Sequence, residues 1–148
     1  MNTFFSMLIM LCLVPTLLWA QPTTGIDYAD SLYATRDQGN NLQLCINELS
    51  QLLQTAKTPE ETFNTAWRLA RTASQVPTYI EASKKHQLDL IMQGIDAGKQ
   101  ALALQPHSVT AIYWEGIAIG RYGEMKGILK SLKSIKPLRD KMLRIIDL

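Results

Sequence analysis

Apolar residues recur three and four apart along most of the chain, and no stretch alternates apolar and polar residues long enough to make a strand. "DYADSLYATR", residues 27–36, puts Tyr28, Leu32 and Tyr33 on one side, and "DQGNN" follows as a turn. The next run, 41–56, carries Leu42, Ile46, Leu49, Leu52, Leu53 and Ala56 as a continuous stripe with Cys45 at its edge. A third helix has the clearest start. Thr58 can cap free backbone N–H groups, Pro59 suits the first turn, and Glu61 completes a capping box. This helix is expected to run to Gln75, to stop before Pro77, and to bury Phe63, Ala66, Leu69, Ala70 and Ala73. A long helix over 79–104 follows, then one capped by Ser108 and ended near Tyr122 by Gly123. "MKGILKSLKSIKP" and "PLRDKMLRIIDL" continue the helical spacing. The pattern predicts an all-α chain.

Parts of this helical series match one another. Setting Ala70 against Gly116 and Gly94 against Leu138 pairs positions 46 and 44 residues apart, more than the roughly 34 residues of the common helical repeat. The excess falls in the joints, "VPTYIEASKKHQ" and "EMKGILKSLKSIK". Within the second unit, "WEGIAIGRYGEMKG" places Gly116 and Gly120 one turn apart on one face, and Gly94 with Gly98 repeats the device on the preceding helix. Each glycine gives up about 1 kcal/mol of helix propensity relative to alanine, so close approach of a neighbouring helix is the expected reason for it. Ala101 and Trp114 belong to the same packing set.

Gly94, Gly98, Ala101, Leu102, Leu104, Pro106, Trp114, Gly116 and Gly123 fill the pattern of tetratricopeptide repeats, which the tract "GIDAGKQALALQPHSVTAIYWEGIAIGRYGE" resembles. With "KGILKSL" and "KPLRDKM" added, residues 42–148 look like the periplasmic tetratricopeptide proteins that accompany TRAP transporters, the TatT component. A related eukaryotic family, the regulators of microtubule dynamics, has similar helix pairs, and the export-type start described next argues against that setting. The resemblance implies an α-solenoid of helical hairpins over 21–148 with lengthened joints. Its last repeat looks incomplete, which leads us to expect self-association or cover by a partner. It also implies a groove lined by Asn64, Trp67, Arg71 and Ser74 from one unit and by Thr110, Tyr113, Ile117 and Arg121 from the next.

The start of the chain bears on compartment. "FFSMLIMLCLVPTLLW", residues 4–19, is an apolar run followed by Ala20, and reads as a signal peptide over 1–20. An uncleaved anchor is the alternative, since about 17 apolar residues is the short limit for spanning a bilayer. Both readings export residues 21–148, to the periplasm or another exterior. Cys12 would leave with a cleaved signal, so Cys45 is the only mature cysteine and no internal disulfide forms. Charge is split: eight Lys and Arg against Glu124, Asp140 and Asp147 make residues 121–148 net +5, whereas the whole chain is +2. Such a tail is a solvated lysine face or one that meets an acidic surface. Lys126, Lys130 and Lys133 opposite Ile128, Leu132 and Ile135 also have the spacing of an interfacial membrane helix.

Catalytic chemistry finds little support. The glycine tract lacks a Lys-Ser or Lys-Thr at phosphate-loop spacing and no strand leads into it. His86 and His107 stand alone, which makes a metal site unexpected. Ser108 and Ser134 have no nucleophile context, and Asp89 with Asp96 reads as a helix face. The expectation is a binding protein without enzyme activity, cofactor, metal or nucleic-acid partner. It would dock a protein such as a periplasmic solute-binding receptor for a TRAP-type system, or act as a general cell-envelope scaffold.

Overall fold

The computed structural model describes residues 25–127 and, beyond them, Lys136, Arg139, Asp140, Met142, Leu143, Ile145 and Ile146. The signal or anchor segment and the amphipathic stretch 128–135 lie outside the described residues. Between residues 25 and 127 six helices run in order: α1 Ile26–Ala34, α2 Asn41–Thr55, α3 Pro59–Ala73, α4 Val76–Tyr79, α5 Lys84–Leu104 and α6 Val109–Lys126. No strand occurs among the described residues.

Helix starts follow from capping chemistry. The Thr58 hydroxyl accepts from the Glu61 N–H at 3.1 Å, and the Glu61 carboxylate accepts in return from the N–H groups of Thr58 and Lys57. These three bonds satisfy donors at and just before the first turn of α3 that have no helical partners. Ser83 does the same for α5 through the His86 N–H, and Ser108 for α6 through the Ala111 N–H.

Two boundaries differ from the sequence expectation. Pro77 does not simply stop a helix: it sits in the first turn of the short α4, where its missing N–H leaves no bond unmade. Ile80 is then extended and Ser83 recaps the chain, so the helix expected from 79 begins at Lys84. The Gln87 side chain holds this corner by donating to the Ile80 carbonyl. Helix α6 runs through Gly123, which is buried, and ends at Gly127. Gly127 has φ 99°, a region closed to most side chains, and its N–H bonds back to the carbonyls of Gly123 and Glu124.

The core is built from α2 (Leu42, Ile46, Leu49), α3 (Ala66, Leu69, Ala70, Ala73), α5 (Ile91, Ile95, Ala101) and α6 (Ala111, Ile112, Ala118). Ala29 and Leu32 bring α1 onto it. Helix α3 is the hub, packing on α2, α5 and α6, while α5 also packs on α6 and α2 on α1. Cys45, placed at the edge of the α2 stripe by sequence spacing, is fully buried because α1 and α3 both close over that edge.

Candidate functional site

Tyr33 and Arg36 stand three apart at the end of α1, and Trp67, Arg68 and Arg71 share one side of α3. Packing interleaves them. The Arg36 guanidinium lies 5.7 Å from the Tyr79 ring centre and 4.7 Å from that of Tyr33. On the other side of the sequence of contacts, Arg71 lies 3.8 Å from Tyr33 and 5.2 Å from Trp67, and Arg68 lies 4.3 Å from Trp67. The result is a ladder in which rings and cations alternate: Tyr79, Arg36, Tyr33, Arg71, Trp67, Arg68. Each such contact contributes on the order of 0.5–2 kcal/mol, more where water is excluded.

One carboxylate serves this ladder. Asp30 accepts from Arg71 Nη2 at 2.6 Å and from Arg68 Nε through both oxygens, at 3.0 and 3.2 Å. Arg36 donates to the Tyr33 carbonyl at 3.1 Å and has no carboxylate within ion-pairing distance among the described residues. The Nε atoms of Arg36 and Arg71 are buried and have no hydrogen-bond acceptor. Three guanidiniums against one carboxylate leave the strip at +2. Burial pushes the Tyr33 hydroxyl above its ordinary pKa in spite of the opposing pull of Arg71 and Arg36.

The residues expected to line a groove fall into different environments. Trp67 and Arg71 are half-buried members of the ladder, joined to α1 by Tyr33 and Asp30. Asn64 is half-buried, its carbonyl accepts from Arg68, and it lines a cleft with Phe63 and Leu104. Ser74 does not present a surface: it is fully buried, and its hydroxyl donates to the Arg71 carbonyl at 2.6 Å because α3 has just ended there. Thr110 and Tyr113 are exposed on the first turns of α6, Tyr113 edge-on to the half-buried Trp114 with ring centres 4.9 Å apart. Ile117 and Arg121 line a cleft of about 350 Å³ with Gly116, Gly120, Glu124 and Met142, which none of the four α3 residues enters. Arg121 pairs with Glu124 at 3.0 Å.

The helix-packing residues occupy the other side of α3. A Cβ on Gly94 would collide with the Cβ of Ala73, and one on Gly98 would come within 2.6 Å of the Glu115 Cβ. Thus Gly94 admits α3 and, one turn on, Gly98 admits α6. Ala101 and Gly116 are buried, whereas Gly120 is half-buried. Glu115 is itself 1% exposed.

Sequence spacing missed the α1 half of the ladder. The groove expected from spacing takes residues from α3 and α6 alone, although Asp30 and Tyr33 recur three apart with Arg36 three further on, a polar stripe that marks α1. Cys45 is no nucleophile in this setting. Its thiol donates to the Ala29 carbonyl at 3.2 Å, and burial raises its pKa against the counter-effects of Thr72 and Arg71. Among the described residues, no group of three or more His, Cys, Asp and Glu side chains could hold a metal ion, and no helix is long and apolar enough to cross a membrane.

The sequence model of the regulator of microtubule dynamics protein 1-3 family matches residues 26–148, which include all six helices. No curated protein and no solved structure matches the chain. The family match overturns the resemblance to tetratricopeptide proteins and to the TatT component of TRAP transporters. That resemblance rested on small and aliphatic residues such as Gly94, Gly98 and Ala101, which close helix packing demands in any hairpin array and which therefore do not separate one such family from another. It also corrects the weight given to the apolar start, which argued against the family the match identifies. The chain belongs to the regulator of microtubule dynamics protein 1-3 family.

Proposed function

We propose that this protein is a non-catalytic helical scaffold that docks a protein partner on the face formed by α3, α4 and the end of α1. The observation that carries the reading is the ladder from Tyr79 to Arg68, which gathers aromatic and arginine side chains at a half-buried surface. Such side chains make strong interface anchors, because they combine contact area with directed hydrogen bonds at modest ordering cost. Packing of each long helix on the next, with α3 also on α6, supports reading the array as an α-solenoid of hairpins.

The family description ties its members to microtubule dynamics, and carried over to this chain it makes a component of the microtubule system the partner to test first. Of the two readings of residues 4–19, only a retained anchor that leaves the helical domain on the cytoplasmic side suits such a partner, since a cleaved signal would export the domain away from microtubules. N-terminal sequencing of the purified protein checks this, and a start at Gln21 would rule out the anchor. For docking, the full chain is co-sedimented with polymerised microtubules. The wild type should pellet with them, and Trp67→Ala should pellet less at unchanged helicity. Equal pelleting of the two would remove the ladder from the interface.

A further inference from the structure

The ladder also has an electrostatic signature that narrows its occupant, an inference that rests on the docking function proposed above. Arg68 and Arg71 converge on Asp30, whereas Arg36, held between the rings of Tyr33 and Tyr79, pairs with no carboxylate among the described residues. A half-buried guanidinium without an anion is unusual, because burying an uncompensated charge is costly. The Nε–H groups of Arg36 and Arg71 also lack acceptors, but they are buried, so a partner would meet the guanidiniums through their other nitrogens. Arg36 and Arg71 each lie against two rings and Arg68 against one, so that less side-chain freedom is left to lose when an acceptor arrives. We propose that the Tyr79-to-Arg68 ladder is a docking strip for an acidic peptide segment, with one carboxylate of the partner on Arg36 and its neighbours beside Arg68 and Arg71. The alternation of ring and cation along one line suits an extended chain whose carboxylates meet the cations and whose stems lie on the rings, better than it suits a single compact anion.

Anisotropy of fluorescein-labelled hexaglutamate, titrated with the full chain, tests this. Hexaglutamate should bind saturably and hexaglutamine should not. Added salt should weaken the complex, as it does for paired charges at a surface. Arg36→Gln, which leaves the Asp30 pairs in place, should weaken binding roughly tenfold, the loss of about one charge-assisted hydrogen bond. Arg36→Lys, which keeps the charge, should lose less. Hexaglutamate binding that is absent, or equal in wild type and Arg36→Gln, would overturn the inference. So would competition by inorganic phosphate or by phosphatidylserine vesicles as effective as by unlabelled hexaglutamate, because the strip would then be a general anion site. Failure here with Trp67-dependent microtubule pelleting intact would sink the acidic-peptide assignment alone. Loss of both would sink the docking face.

Discussion

Where α5 meets α3 and α6, glycines bring helix backbones against the stems of Ala73 and Glu115; where α4 and the end of α1 meet α3, three arginines and three rings fill the joint. The first kind of joint works by removing side chains and tolerates almost no added volume. The second works by adding long side chains, and its contacts stay partly open to water. Packing density therefore marks the α3–α5–α6 side as structural support. Incomplete charge compensation marks the α1–α3 side as the place where another molecule can still add favourable contacts.

The sharpest way to break this contrast is to fill the tight joint. Gly94→Leu should lower stability by about 3 kcal/mol or more, since neither Ala73 nor the α3 backbone can yield. In a thermal melt that is a fall of at least roughly 12 °C for a domain of this size. A tolerated leucine would mean the helices are not in close contact there. Gly98→Ala is milder: its new methyl meets the Glu115 stem, and alanine returns about 1 kcal/mol of helix propensity. A net loss of about 1 kcal/mol is expected by chemical denaturation; a gain would show that Glu115 moves aside freely.

On the open joint, Asp30→Asn keeps the shape but leaves Arg68 and Arg71 without their anion. Asp30 is 37% exposed, so water screens much of the effect and the stability loss should stay near 1 kcal/mol or below. A loss as large as that of Gly94→Leu would erase the distinction between the joints. The smallest effect is with pH. Cys45 and Tyr33 both have raised pKa values in the folded chain, so the folded form holds their protons more tightly than the unfolded chain does. Their contribution is complete below the ordinary thiol value of 9.0 and is lost as pH climbs from there through the raised folded-state values. Cys45→Ala should flatten part of that alkaline decline in denaturant midpoints measured between neutral and alkaline pH.

Helical periodicity and caps made most of the fold legible: α2, α3 and α6 start where Thr58, Ser108 and the stripe from Leu42 place them. What sequence could not give was the choice between equivalent punctuation marks. Gly123 and Gly127 are alike in sequence, and only burial of the first and the free φ of the second decide which ends α6. Pro77 likewise opens a short helix because α3 had already finished at Ala73. The site was half legible. Trp67 and Arg71 stood out by residue type, but their partners Asp30, Tyr33 and Arg36 lie more than 30 residues away, and local periodicity carries no information about which faces meet.

Gly94 and Gly98 sit one turn apart on α5 yet admit two different helices, and this has a mechanical consequence. Helix α5 acts as an axle clamped from two directions, and sliding or tilting about it would drive backbone into side-chain stems. Helix α1 has no such clamp on α3: it is joined to that helix by side-chain ion pairs and ring contacts, which admit more movement than backbone in contact with a stem. A ligand bound beside α1 would therefore move that helix before it disturbed the α3–α5–α6 block.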